Sequence, residues 1–299
     1  MAGDHGEPIA QYLQVGSYLV PNNLTANAHG NGYSDPNIFI PETIESVHVD
    51  AGAFNVREGN HAVDLASTYT LRDRADPFLT VTGDYHDIDL MTGWSSAGRT
   101  KRFLIAAEAA FGNGLLDFPE HRRQYKFTTL RQLRLGKHTL TLTALGYYGN
   151  SRIPGLVPLG VPDLHDTIDP RQRDETYSGE FVANDNWQIG SNRVLQLSGF
   201  FRSYELSLLS NFGDGLIRQK ESRTVAGANA SYIKDINKYL TLFAGFDFNR
   251  DAPRGVELDH YENVTDFSFY GPFTAVTSNN LTFGSSTPTS LWVGLFRGI

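Results

Sequence analysis

Thr139-Leu140-Thr141-Leu142-Thr143-Ala144 alternates polar and apolar residues without a break. In an extended chain Leu140, Leu142 and Ala144 share one face, and Thr139, Thr141 and Thr143 the other. A helix would scatter these side chains around its surface, so the period of two predicts a strand. The same texture recurs on both sides. Across 239–248, Leu240, Leu242, Ala244, Phe246 and Phe248 oppose Thr241, Gly245 and Asp247. Across 194–203, Leu195, Leu197 and Phe201 oppose Gln196, Ser198 and Arg202. Phe103, Ile105, Ala107 and Phe111 oppose Arg102 and Glu108, while Ala226, Ala228, Ala230 and Tyr232 oppose Asn229 and Ser231.

What lies between these stretches decides the architecture. Short turns are predicted at Ala97-Gly98-Arg99, Leu135-Gly136-Lys137, Ile189-Gly190-Ser191-Asn192 and Ile236-Asn237-Lys238. Longer connections are predicted over 112–122, 150–176 and 207–222, the second carrying Pro154, Pro158, Pro162 and Pro170. Short and long connections alternate in an outer-membrane β-barrel, whose strands of about ten residues are apolar outside and small or polar inside. Tyr147, Tyr148, Trp187, Phe246 and Phe248 are expected in the interfacial aromatic belts. Before residue 76 the chain is mixed and rich in turns, with one clear alternation, Ile44-Glu45-Ser46-Val47-His48-Val49-Asp50, expected as a half-buried strand.

Composition narrows the function. The chain has 299 residues, 25 Lys plus Arg against 33 Asp plus Glu, and a formal net charge of −8. That balance argues against nucleic acid as a partner. Charged residues make up 19% and aromatics 12%, which argues against disorder. With no cysteine, disulfides, cysteine-ligated zinc and cysteine nucleophiles are excluded. No run of about 18 apolar residues exists to form a transmembrane helix. The opening Met1-Ala2-Gly3-Asp4-His5 lacks the basic and apolar regions of a signal peptide.

Catalytic and metal spacings fail one by one. Gly136-Lys137-His138-Thr139 lacks the first glycine of a phosphate loop, since position 131 is Arg, and reads as a hairpin turn. Asp247, Asn249 and Asp251 have the spacing of a calcium loop, but Ala252 stands where glycine is needed, so a solvated loop start is expected. The histidines are dispersed, and carboxylate pairs such as Asp163 with Asp166 fit charged connectors. The expectation is no enzyme, no catalytic residue, no metal site and no cofactor.

Residues 29–59 resemble the distal part of the plug domain of TonB-dependent outer-membrane receptors. The resemblance is carried by His29-Gly30-Asn31-Gly32-Tyr33-Ser34-Asp35, then Ile40-Pro41-Glu42-Thr43-Ile44-Glu45-Ser46-Val47-His48-Val49-Asp50-Ala51-Gly52, then Gly59. Residues 271–282, with Gly271-Pro272-Phe273 and Asn279-Asn280-Leu281, look similar to a loop-and-strand segment of some members. Two departures stand out. The family's hairpin upstream is degraded to Gln14-Val15-Gly16-Ser17-Tyr18-Leu19-Val20-Pro21-Asn22, and the small Gly-rich run after the plug is Ala62-Val63-Asp64-Leu65-Ala66-Ser67.

The resemblance implies a mainly β fold, with the distal part of a plug at 1–75 and the N-terminal part of a transmembrane β-barrel at 76–299. About nine or ten strands are expected where plugged transporters of this type have about 22. After Leu281 the strand pattern fades without a terminal aromatic strand, and no TonB box is recognised, so a truncated fragment, inactive alone, is expected. The implied function is active import of a scarce solute across a Gram-negative outer membrane. Candidate cargoes are a siderophore or other metal chelate, cobalamin or an oligosaccharide, and the implied partners are outer-membrane lipid, TonB and the cargo. Candidate ligand contacts are His29, Asn31 and Tyr33 in the plug loops, with Arg152, Arg171 and Arg173 in the long connector. Two rivals are a soluble all-β ligand-binding module of carbohydrate type and an unplugged porin. The apolar Leu140/Leu142 and Leu240/Leu242 faces count against the first, and residues 1–75 against the second.

Overall fold

The structure, a computed structural model, describes residues 10–16, 18–24, 33–52, 65–72, 74, 76–98, 100–115, 118–153, 169–211, 215–260 and 289–297. The short strands come first: β1 (Ala10–Val15), β2 (Tyr18–Pro21), β3 (Asn23–Leu24), β4 (Tyr33–Ser34), β5 (Ile44–Ala51) and β6 (Leu65–Leu71). Then follow β7 (Phe78–Gly83), β8 (Asp87–Ala97), β9 (Lys101–Gly112), β10 (Arg122–Leu135) and β11 (His138–Arg152). The longest come next, β12 (Arg173–Gly190), β13 (Arg193–Asn211), β14 (Leu216–Asn237) and β15 (Leu240–His260), and β16 (Thr289–Arg297) is last.

From β7 to β16 each strand pairs antiparallel with its sequence neighbour, giving one 10-stranded sheet with β7 and β16 as its edges. The alternation seen in the sequence sets its two faces. Phe181, Leu197, Phe201, Phe246 and Phe248 project outward and are exposed, whereas Thr141, Thr143, Asn184, Gln196, Ser198 and Asn229 project inward and are buried. Tight turns close the hairpins at one end, as at Gly136-Lys137, where Gly136 adopts φ +62°. The longer connections gather at the other end.

The N-terminal strands form a four-stranded sheet in the order β2-β1-β6-β5, in which β1 and β6 run parallel. Two short 3₁₀ turns follow β4, at Pro36–Ile38 and Pro41–Thr43. Each begins with proline, whose fixed φ suits a first helical position. The Asp35 side chain caps the first by accepting from Asn37 N at 2.9 Å. This unit sits on the inner face of the large sheet. Leu13, Val15, Tyr18, Val20, Ile38 and Phe39 form one buried cluster with Leu104, Leu130, Leu145, Tyr147, Val182, Phe200, Tyr204 and Val225. The inner face is therefore not uniformly polar. An apolar row crosses it through Leu104, Leu130, Val182 and Phe200, with Thr143 among them. Gly227 continues that row, and a Cβ there would lie 2.4 Å from the Phe200 ring.

Several expectations are corrected. The region 207–222 is not a long connection, because β13 runs to Asn211, β14 starts at Leu216, and the two pair throughout. The run Leu206-Ser207-Leu208-Leu209 breaks strict alternation, so it hid a strand that the partner strand stabilises. Asp247, Asn249 and Asp251 lie within β15 rather than opening a loop. The strand pattern does resume after Leu281: β16 pairs with β15 from Phe248↔Thr289 to Leu240↔Arg297. Strand β5 is not half-buried. Val47 and Val49 are 49% and 57% exposed, because β5 is the edge of its sheet. Tyr147 turns inward and is buried, while Tyr148 stays outside. Residues 271–282 lie outside the described residues.

Candidate functional site

The seam between the N-terminal unit and the inner face concentrates buried polar chemistry. It starts with the β1–β2 turn, where Gly16 adopts φ +65° and a Cβ would lie 2.8 Å from Gln196 Nε2 and 3.0 Å from Asn184 Oδ1. Only glycine combines that backbone with so close an approach. Gln196 Nε2 donates to Val15 O at 3.2 Å, and Asn184 Nδ2 donates to Ser198 Oγ at 2.7 Å.

Higher on the wall, β12 and β13 set Glu180 directly opposite Arg202, with Nη1 to Oε2 at 3.8 Å. Both side chains are almost fully buried. The same Nη1 donates to Asn22 Oδ1 at 2.7 Å, and Asn22 Nδ2 donates onward to Asp35 O at 3.0 Å. One buried guanidinium thus ties the wall to the N-terminal unit. Beside it, Arg223 meets Glu221 (Nε to Oε1, 2.6 Å) and Asp251 (Nη1 to Oδ2, 2.7 Å), all three buried. A charge buried without such partners would cost several kcal/mol, roughly 3–5 when one partner is removed. Burial pushes the Asp35 carboxyl above the ordinary range, although the Asn37 hydrogen bonds and the Arg202 charge oppose the shift. Burial also pushes the Tyr18 hydroxyl up, helped by the charges of Asp247 and Glu180.

The candidates named from the sequence do not meet at one place. His29 and Asn31 lie outside the described residues. Tyr33 belongs to β4, paired with Leu24 on β3. Arg171 grips Asp169 with two bonds, Nε to Oδ1 at 2.9 Å and Nη2 to Oδ2 at 2.8 Å. That grip draws the Asp169 carboxyl down to about 2. Asp169 also accepts from Asn211 Nδ2 at 3.1 Å, so Arg171 takes part in a clamp between the start of β12 and the end of β13. Arg152 and Arg173 stand opposite each other on β11 and β12, at positions in phase with outward Tyr148 and Tyr177. Among the described residues, no group of three or more His, Cys, Asp and Glu could hold a metal ion.

Arg202, Glu180, Arg223 and Glu221 are not singled out by the sequence, and Asp251 enters there only through its calcium-loop spacing. A signal for Arg202 was present, since its position in 194–203 falls on the polar face with Gln196 and Ser198. Its pairing with Glu180 depends on register, which no single strand reveals.

No protein-family model and no curated protein matches the chain. Solved structures do. The unliganded ferric citrate transporter FecA is similar at TM-score 0.64 and 14% identity, over 80% of this chain and 38% of that one. The copper transporter OprC is similar at TM-score 0.63 and 12% identity, over 96% and 43%. BauA, the ferric preacinetobactin receptor from Acinetobacter baumannii, is similar at TM-score 0.61 and 11% identity, over 98% and 49%. The chain spans less than half the length of each. At these identities the likeness shows the fold, which is that of TonB-dependent outer-membrane receptors.

Proposed function

We propose that this chain is the distal plug region, over 1–75, and a first portion of the barrel wall, over 76–299, of a TonB-dependent importer in a bacterial outer membrane. The observation that carries the proposal is the outward face. On β12, Trp187 stands near the tight-turn end and Tyr177 ten positions away, both exposed. At about 3.3 Å per residue and a tilt of about 40°, ten residues span about 25 Å of membrane, the height of the apolar band of an outer-membrane barrel. Between those rows the outward positions include Thr129, Ala144, Phe181, Phe201 and Ala226 in register, then Leu142, Ala183, Gly199, Ala228 and Phe248 below them. Arg131, Asp185 and Arg250 are the charged exceptions, Arg250 standing exposed beside Ala226 in the first of these rows. Asp185 accepts from His138 Nδ1 at 2.7 Å near the tight turns, and Arg131 has a stem long enough to reach the interface.

A soluble module would face water with these residues. Here polar groups line the inner side, where the N-terminal unit covers them, and aromatics line the outer side. In this reading the tight turns face the periplasm, the long connections face outward, and further strands beyond the β7 and β16 edges close the wall. The cargo is a metal ion or metal chelate, the class named for the similar transporters. Force from TonB acts on the N-terminal unit, which the wall holds through Arg202, Gln196 and the shared core. Disrupting the reading frame in its own host should lower energy-dependent uptake of one radiolabelled metal chelate. Unchanged uptake of ferric citrate, ferric siderophores and copper, with the chain recovered as a soluble protein, would contradict the proposal.

A further inference from the structure

The outward face changes character above its tyrosines. Tyr125, Tyr148 and Tyr177 are register partners on β10, β11 and β12, with ring centroids 6.1 Å and 4.7 Å apart. The next outward positions toward the long connections are Arg123, Asn150 and Glu175, and the next again are Arg152 and Arg173. All three arginines are exposed. Arg123 and Arg173 make no ion pair with any described residue, and Arg152 lies over the Phe118 ring at 5.7 Å. Like charges set directly opposite on neighbouring strands repel, so the Arg152↔Arg173 pair is poised for an anion.

Glu205 stands exposed opposite Tyr177, and the other carboxylates nearby are engaged. Glu175 accepts from the Tyr177 hydroxyl at 2.8 Å and the Tyr148 hydroxyl at 3.5 Å. Glu257 faces Arg218 at 3.9 Å, and Arg122 holds Asp87 at 3.3 Å and Asp89 at 3.7 Å. Asp84 accepts the backbone N–H groups of His86 and Asp87, and Glu120 turns toward Gly114.

Beside Arg123 lies a concavity of about 340 Å³ whose lining includes Ile88, Phe111 and His121. Phe111 meets Tyr125 edge-on at 5.7 Å, so its apolar wall continues the tyrosine row. Arg152 N donates to Glu120 O at 2.6 Å, which brings Arg152 alongside His121. The concavity is level with the arginines, since Ile88, Phe111 and Arg123 share one register row, and its lining also carries Asp84 and Asp87. Below it the tyrosine row and then the apolar band follow, in the order of headgroup, interface and acyl chain.

We propose that Arg123, Arg152 and Arg173, with this concavity, hold the phosphorylated headgroup of an outer-leaflet lipid against the wall. The inference rests on the membrane reading above. Guanidinium groups match phosphate with paired, charge-assisted hydrogen bonds, and a lipid alone brings its phosphate to this height beside an apolar band.

The test uses the full chain in neutral detergent and lipid A, a bis-phosphorylated glycolipid, as the probe. Arg152→Gln with Arg173→Gln should weaken retention of lipid A at least tenfold, whereas Arg131→Gln, lower on the wall, should leave it unchanged. Dephosphorylated lipid A should not be retained, and inorganic phosphate should not compete at equal concentration. Equal retention by the rim and Arg131 variants, or of the dephosphorylated lipid, overturns the inference. Competition by inorganic phosphate would reveal a free-anion site and overturns it too. Partition into neutral vesicles separates the two readings. A chain that inserts but shows no rim effect refutes this inference alone, and one that does not insert refutes both.

Discussion

Arginine placed along the outward side of β13 should report the membrane as a depth profile. Leu195 lies in the Trp187 row and Glu205 in the Tyr177 row, so these positions mark the two edges of the apolar band. Phe201 is four residues below the upper edge. With about 3.3 Å per residue and a tilt of about 40°, that is about 10 Å into a band of about 25 Å, near its midplane. Phe201 is 50% exposed, so an arginine there has room and displaces no packed core. Measured against Phe201→Ala, which carries the same loss of the ring, Phe201→Arg should cost about 2–4 kcal/mol. Leu195→Arg against Leu195→Ala should cost about 0–1 kcal/mol, and Leu197→Arg should fall between. The assay is guanidinium titration of the chain refolded into phosphatidylcholine vesicles, with the midpoint and slope of each pair compared. A flat profile, with Phe201→Arg no costlier than Leu195→Arg, would refute the argument, because water does not distinguish depth.

Three further outcomes are expected. Arg202→Met strands Glu180 and the Asn22 amide oxygen, and should destabilise the fold by about 3–5 kcal/mol, while Arg202→Met combined with Glu180→Leu should recover most of the loss in the same titration. Recovery would be absent if Arg202 acted only through Asn22. Asp35→Asn keeps a side-chain acceptor for Asn37 N but removes a buried charge. Because burial raises the Asp35 pKa, its native form binds protons more tightly than the unfolded chain, so stability falls as pH rises through the folded value. The Asn variant should therefore be the more stable at pH 7, and the advantage should vanish on acidification below the ordinary carboxylate range. In intact cells expressing this chain, added trypsin should cut at exposed Arg173 beside the long connection. Cutting instead at Lys137 or Lys238, in the tight turns, would invert the topology.

Most of the wall was legible because one face of each strand must be apolar and the other not. That constraint writes period two into 139–144, 194–203 and 239–248. Legibility failed where a strand outruns the band. Above the tyrosines, β13 and β14 no longer have distinct solvents on their two sides, so Leu206-Ser207-Leu208-Leu209 loses its alternation while keeping its ladder. Asp251 lies lower, level with Arg202 on the inner face, and sits on a strand because Arg223 satisfies it. The candidate site was less legible still. Arg152 and Arg173 were singled out as loop charges, but only register shows that they stand opposite one another in phase with the outward tyrosines. Glu180 and Arg202 are 22 positions apart, and their pairing follows from the β12–β13 turn rather than from any local pattern.

The central claim, that one face of this sheet meets lipid and the other meets the chain's own N-terminal unit, is tested most directly by nitroxide scanning of β13. The chain has no cysteine, so single cysteines from 196 to 203 can be labelled without background. In vesicles, oxygen should broaden the signals of labels at Leu197, Gly199, Phe201 and Ser203. Labels at Gln196, Ser198, Phe200 and Arg202 should be shielded from both oxygen and a water-soluble nickel complex. A period of two with oxygen access in the odd phase is the predicted result. Nickel access at Leu197 and Phe201 equal to that of a label on exposed Lys137 would place the outward face in water and contradict the account.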